Sequence, residues 1–243
     1  MAIIENETFK SLIEVVREAN AQKVVEVNGQ SYAIDGHGDV ELLADPSLPN
    51  AEQLTTLDGL IEFIQYQKPK DVFLHVISNS RVDLLGNLNS QGHRPIYAKV
   101  NAELPGFDFD EYHSQEEMII ALQAQFAETK DRNIIMRVVG NLKDEEVHQM
   151  TDDGVSQQVQ IRSGAASVDN VQVPNPVSMR PYRTFLEVKQ PESKFIFRMR
   201  DGGQSALFEA DAGMWRLVAK KSIKEYLENE LKTAGLKDIP VIA

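Results

Sequence analysis

Thr184-Phe185-Leu186-Glu187-Val188-Lys189-Gln190-Pro191-Glu192-Ser193-Lys194-Phe195-Ile196-Phe197-Arg198-Met199-Arg200 is the stretch on which the fold class turns. Two β-rich runs, Thr184 to Gln190 and Lys194 to Arg200, flank the turn residues Pro191-Glu192-Ser193, a pattern that predicts a hairpin. In the second run Phe195, Phe197 and Met199 alternate with Lys194, Ile196, Arg198 and Arg200. The two-residue period sends the first set to a core and gathers the arginines on the opposite face. Ala206 to Ala210 predicts a further strand after Gly202-Gly203-Gln204-Ser205. That glycine pair reads as a hairpin turn, because it lacks the spacing of a phosphate-binding loop and falls between strands rather than before a helix. Upstream, Val155 to Ile161 alternates as another strand, and Gly164 to Arg180 reads as an inserted or crossing loop. Downstream, Ala219, Ile223, Tyr226, Leu227 and Leu231 form the stripe of a last helix that stops near Gly235.

The N-terminal half reads as helices and hairpins. Phe9, Leu12, Ile13 and Val16 recur at helical spacing after the cap residue Asn6, predicting a first helix that buries this face. Lys23 to Val27 and Ser31 to Ile34 flank Asn28-Gly29, which supplies the positive φ angles of a tight turn. Asp35 to Asn50, rich in Gly, Pro and Asp, reads as a loop. It leads to a second helix with Leu57, Leu60, Ile61 and Ile64 on one stripe and with Thr55 and Asp58 at capping-box spacing. Val72 to Ile77, Arg81 to Leu85 and Pro95 to Val100 predict a meander whose tip carries Asn87, Asn89, Ser90 and Gly92. Ser114 and Glu117 box the start of a third helix, Gln115 to Glu128, with Met118, Leu122 and Phe126 as its stripe. Ile134 to Val139 reads as a buried strand. The expected class is therefore α+β, a mixed and mainly antiparallel sheet with about four helices. It is organised as an N-terminal helix and hairpin (1–50), an acidic α+β region (51–150) and a basic β-rich region with a C-terminal helix (151–243), together one compact unit.

Charge divides the chain along the same line. Residues 1–154 hold 12 Lys/Arg against 27 Asp/Glu, a net of −15, whereas residues 155–224 hold 11 against 6, a net of +5. A chain so divided presents complementary faces to copies of itself or a basic face to a polyanion. With 243 residues, 42% hydrophobic and 26% charged, it has the composition of an ordinary globular protein. The absence of cysteine excludes disulfides, thiolate metal sites and a Cys nucleophile, and points to a cytoplasmic setting. Acidic residues near Met1 and the lack of a continuous apolar run argue against a signal peptide, and no stretch reaches the length of a membrane span.

The candidate sites divide into weak and strong. Asp35, His37 and Asp39 could surround a metal, but Gly36 and Gly38 between them make a turn the simpler reading. Asp152 and Asp153, with Glu145, Glu146 and His148, could form a carboxylate site, yet adjacent carboxylates in a turn point apart. His75 alternates with apolar neighbours and reads as a packed histidine. No catalytic, cofactor or metal motif emerges. The strong candidates are Arg162, Arg180, Arg183, Arg198 and Arg200 with Lys220, Lys221 and Lys224. They form a basic interaction surface for phosphate or carboxylate groups, with Tyr182, Phe185 and Trp215 as aromatic contacts.

Asp152-Asp153-Gly154-Val155-Ser156-Gln157, Val173-Pro174-Asn175-Pro176-Val177, Pro181-Tyr182-Arg183-Thr184-Phe185 and Gln190-Pro191-Glu192-Ser193 resemble the YfdQ-like family of tailed phages and prophages, a domain of unknown function. Leu207-Phe208-Glu209-Ala210-Asp211 and Trp215 extend the resemblance, which runs from about Thr55 onward. It implies a phage-encoded protein acting in the cytoplasm of the infected cell and supplies no catalytic residues. The order of an extended region (72–100), a helix (115–128) and a β-rich region also resembles the tailed-phage capsid and encapsulin fold. Three functions follow as alternatives. The first is a non-catalytic protein that self-associates into a ring or shell through opposed acidic and basic faces. The second is a nucleic-acid-binding accessory of phage replication or recombination. The third is an inhibitor that binds a host defence protein or a signalling nucleotide, with Arg183 and Tyr182 meeting phosphate and base.

Overall fold

The structure is a computed structural model and describes residues 2–19, 23–27, 30–35, 38–43, 50–89, 92–140, 150–152, 157–163 and 167–243. The chain divides into two compact units, Met1–Asn50 with Gly86–Pro95, and Ala51–Leu85 with Ile96–Ala243.

The first unit opens with α1 (Ala2–Ala19), followed by β1 (Lys23–Val27), β2 (Gln30–Ile34) and β3 (Val40–Leu42). The expected hairpin is present: β1 and β2 run antiparallel from Lys23 opposite Ile34 to Val27 opposite Gln30. Its Asn28-Gly29 turn lies outside the described residues. The run from Asp35 is not all loop, because β3 pairs antiparallel with β2, Ala33 standing opposite Glu41. Between these strands the Asp35 amide donates to the Asp39 carbonyl at 3.0 Å, and the Asp39 amide donates to the Asp35 carboxylate at 2.9 Å. These bonds join Asp35 to Asp39 directly, while Gly36 and His37 fall outside the described residues. Asn6 does not cap α1, since the helix already runs from Ala2. The expected burial of its stripe also fails: Leu12 is 61% exposed, and Ile13 and Val16 are exposed too. In the Gly86–Pro95 tip, the Asn89 carboxamide accepts from the His93 amide and Arg94 donates to the Gly86 carbonyl. Ser90, at that tip, is not described.

The second unit contains β4 (Glu52–Leu54), α2 (Leu57–Gln67), β5 (Val72–Ser78), β6 (Arg81–Gly86), β7 (Ile96–Asn101), α3 (Gln115–Ala124), β8 (Phe126–Ala127) and α4 (Lys130–Gly140). It continues with β9 (Met150–Asp152), β10 (Gln157–Ser163), β11 (Ser167–Gln172), β12 (Val177–Pro181), β13 (Ser193–Arg200), β14 (Gln204–Glu209), α5 (Trp215–Thr233) and β15 (Val241–Ile242). The class is α+β, as expected, with five helices among the described residues and mostly antiparallel strands. The strands form several sheets rather than one. A five-stranded sheet has the order β15-β5-β6-β7-β4, its outer strands β15 and β4 lying parallel to β5 and β7. A four-stranded antiparallel sheet has the order β14-β13-β12-β8, and a three-stranded one the order β11-β10-β9.

Two cores follow from these layers. In the first, Leu57, Leu60, Ile61 and Ile64 of α2 and Ile223, Leu227 and Leu231 of α5 pack with Leu74, Val76, Val82, Leu84, Ala98 and Val100 of the five-stranded sheet. The α2 stripe is the one expected, but its cap is Thr56 rather than Thr55: the Thr56 hydroxyl accepts from the Gly59 amide at 3.1 Å. The second core joins Met118 and Leu122 of α3, Ile135, Val138 and Val139 of α4, and Phe195, Phe197, Met199 and Leu207 of β13 and β14. The alternation expected on β13 holds, each of its buried apolar residues contributing about 1.5–3 kcal/mol.

Three segments depart from expectation for identifiable reasons. The capping box of Ser114 and Glu117 is present, but α3 ends at Ala124 because Phe126 and Ala127 pair with Pro181 and Arg180. Ile134 to Val139 is helical, not a strand. The Thr129 hydroxyl accepts from the Arg132 amide at 3.0 Å and starts α4, whose buried Ile135, Val138 and Val139 fit a helical period. After α3 come the short strand β8 and then α4, where the capsid-like order has the β-rich region follow its helix. Gly164 to Arg180 is not an insertion loop either, since it contains β11 and β12.

The last helix carries the expected stripe and ends in a left-handed Gly235, φ 75°, with the Leu236 amide donating to the Leu231 carbonyl at 2.8 Å. Its Tyr226 hydroxyl donates to the Asp58 carboxylate on α2. Burial, and after it this bond, push the phenol well above its usual range. Tyr226→Phe is expected to cost about 0.5 kcal/mol, the pair being partly open to solvent. A thermal scan should register this as a fall of about 1–2 °C in Tm, and an unchanged Tm would show that the bond contributes nothing net.

Candidate interaction surface

Thr184 to Gln190 is irregular rather than a strand, and β13 takes β12 and β14 as its neighbours instead. The reason is the buried Gln190 side chain. Its oxygen accepts from the amides of Arg183 at 2.9 Å and Thr184 at 3.2 Å, while its nitrogen donates to the carbonyls of Thr184 and Phe185 at 3.2 and 3.1 Å. One side chain thus takes the place of a sheet partner and folds the backbone around itself.

The curl turns Arg183 inward. Only 8% exposed, it is not part of any surface. Its guanidinium pairs with Glu209 and donates to the Ser193 hydroxyl. It also lies 3.8 Å from the centroid of the Trp215 ring and 5.3–5.4 Å from those of Phe109 and Phe195. Burial lowers its pKa to about 10, with Glu209 opposing the shift, so it remains charged at neutral pH. Trp215 and Phe185 are buried as well, and the Tyr182 amide is held by the Gln125 carbonyl at 2.9 Å. The expected aromatic platform is therefore largely core.

The other expected cations are scattered. Arg162 stands on β10 opposite Val168. Arg180 pairs with Glu192 at 2.8 Å. Arg198 is half-buried and donates to the Phe197 carbonyl at 3.3 Å. Arg200 donates to Gln204 at 2.7 Å and lies 4.1 Å from the Tyr112 ring centroid. Lys221 and Lys224 meet Glu225 and Glu228 one turn on, at 3.7 and 3.8 Å, solvent-screened contacts that contribute little. Asp152 lies on β9, whereas Asp153, Glu145, Glu146 and His148 lie outside the described residues, and among the described residues no group of carboxylates and imidazoles suits a metal. His75 is half-buried on β5.

What the fold does bring together is the start of α5. Asp211 accepts from the amides of Gly213 and Met214 through its carboxylate and carbonyl. Gly213 adopts φ 75°, a left-handed conformation that favours glycine. Arg216 lies 4.6 Å from the Trp215 ring centroid, and among the described residues neither Arg216 nor Lys220 has an ion-pair partner. Opposite the buried stripe, Met214, Leu217 and Val218 are exposed at i, i+3 and i+4, Leu217 to 69%. The sequence carried this second stripe openly, but it overlaps the first in position and only burial tells the two apart. The chain matches no protein-family model, no curated protein and no solved structure.

Proposed function

We propose that the chain is a phage- or prophage-encoded, non-catalytic protein that self-associates in the host cytoplasm into a homo-oligomer, a closed ring or shell. The observation that supports this most is the exposure of apolar side chains in the N-terminal segment. Among the hydrophobic side chains described in 10–18, 23–27, 31–35 and 38–43 only Ala33 is buried, while Leu12, Ile13, Val15 and Val16 on α1 and Val24, Val25, Val27, Val40 and Leu42 on the strands are exposed. Ordering such a segment costs about 1–2 kcal/mol per residue, and a three-stranded meander persists when its apolar face is covered. A second copy provides that cover, and symmetric repetition closes the assembly.

The driving force on this reading is apolar burial rather than the charge contrast, because Arg180, Arg183, Lys221 and Lys224 already have carboxylates within the chain. The same pairing weakens the case for a nucleic-acid partner. Light scattering should give a multiple of 27.3 kDa at both low and molar salt. Ile13→Asp should weaken association at least tenfold, since covering such a side chain contributes about 1.5–3 kcal/mol. A strict monomer of the wild-type chain at both salts sinks the reading.

A further inference from the structure

We infer that the N-terminal half of α5 is the second surface of this assembly, and that it receives the apolar stripe of α1 from another copy, head to tail. The inference rests on the self-association proposed above and identifies the two elements that meet. Its first support is the exposed triplet Met214, Leu217 and Val218, which lies on the side of α5 away from Trp215, Ala219 and Ile223. Three large apolar side chains in adjacent turns form a contiguous patch rather than scattered exposure.

The second support is the order of charge along the helix. Trp215–Lys224 holds Arg216, Lys220, Lys221 and Lys224 and no acidic residue, whereas Glu225, Glu228 and Glu230 follow, with Lys232 in the last turn. Of the first four cations only Arg216 lies in the first turn, where the helix dipole disfavours a cation, and Lys221 and Lys224 already meet Glu225 and Glu228. Arg216 and Lys220, which have no ion-pair partner among the described residues, are the cations left for an acidic partner outside the helix. The unit formed by Met1–Asn50 and Gly86–Pro95 has that character: 4 Lys/Arg against 9 Asp/Glu, a net of −5, together with the exposed Leu12, Ile13 and Val16. Apolar stripe meets apolar stripe, and the negative unit lies against the positive turns. Because the two surfaces differ, the contact is heterologous and each copy keeps one of each free for the next.

Two variants of the full chain test this, each altering an exposed position: Val16→Asp on α1 and Leu217→Asp on α5. Circular dichroism and the emission of the single Trp215 check that each still folds. In a head-to-tail contact every interface of a pure variant contains one damaged surface, so each alone should associate at least tenfold more weakly than wild type and run near the monomer mass. Mixed in equal amounts, the variants retain one intact pair of surfaces and should form a dimer that grows no further. Wild-type mass for Leu217→Asp overturns the α5 assignment while leaving self-association standing. Dissociation of both variants with no recovery on mixing overturns the head-to-tail pairing. A wild-type monomer removes the underlying reading itself, which separates the two failures.

Discussion

Arg183→Ala is expected to destabilise the second unit by about 3–5 kcal/mol, the cost of removing one partner from a buried ion pair. The guanidinium holds together groups distant along the chain: Glu209 at the end of β14, Ser193 at the start of β13 and the Trp215 ring at the start of α5. Its removal leaves the Glu209 carboxylate without its cation and the Trp215 face without its stacked partner. At about 2–4 °C per kcal/mol the fall in Tm should be roughly 6–20 °C. Trp215 is the only tryptophan, so its emission reports the same contact directly and should shift to the red as water reaches the ring. Arg183→Lys should recover little, because an ammonium lacks the planar fork that serves Glu209 and Ser193 together. A variant that melts within a degree of wild type would show the cluster to be incidental to stability.

Gln190→Leu should cost about 4 kcal/mol. It leaves the amides of Arg183 and Thr184 and the carbonyl of Thr184 without partners in a buried loop, at about 1–3 kcal/mol for each such group. Gln190→Glu is the more informative change. It keeps an oxygen for the two amides but brings a carboxylate against the two carbonyls, so its pKa should be raised in the folded state. A carboxyl raised on folding destabilises fully above its folded pKa, and the penalty shrinks as the pH falls through that value. Gln190→Glu should therefore melt well below wild type at neutral pH and close on it under mildly acidic conditions. A gap that stays constant with pH would mean that the carboxylate faces solvent and the loop has opened. Limited proteolysis within 182–192 should accelerate in both variants under the conditions in which they are destabilised.

These two residues mark where local reasoning stops. The alternation of Phe195, Phe197 and Met199, the stripes of α2 and α5, the capping box at Ser114 and the hairpin of β1 and β2 were all legible, because each depends on neighbours within a few residues. Thr184 to Gln190 has strand-like composition, yet a carboxamide six residues downstream of Thr184 captures its backbone before a neighbouring strand can. Ile134 to Val139 is apolar enough for either structure, and the Thr129 cap together with the facing helix α3 decides for a helix.

The same division holds for the candidate surface. By itself the sequence determined the α+β class, the periodic faces of its elements and the contrast between an acidic first part and a basic second part, since composition and period are properties of the chain. Only the tertiary structure decided that Arg183 and Trp215 belong to the interior, that β13 pairs with β12 and β14, and that Leu12 and Leu217 stand exposed. A residue's charge and polarity are local, but whether it is covered depends on what the rest of the chain brings against it, and period alone does not specify that partner.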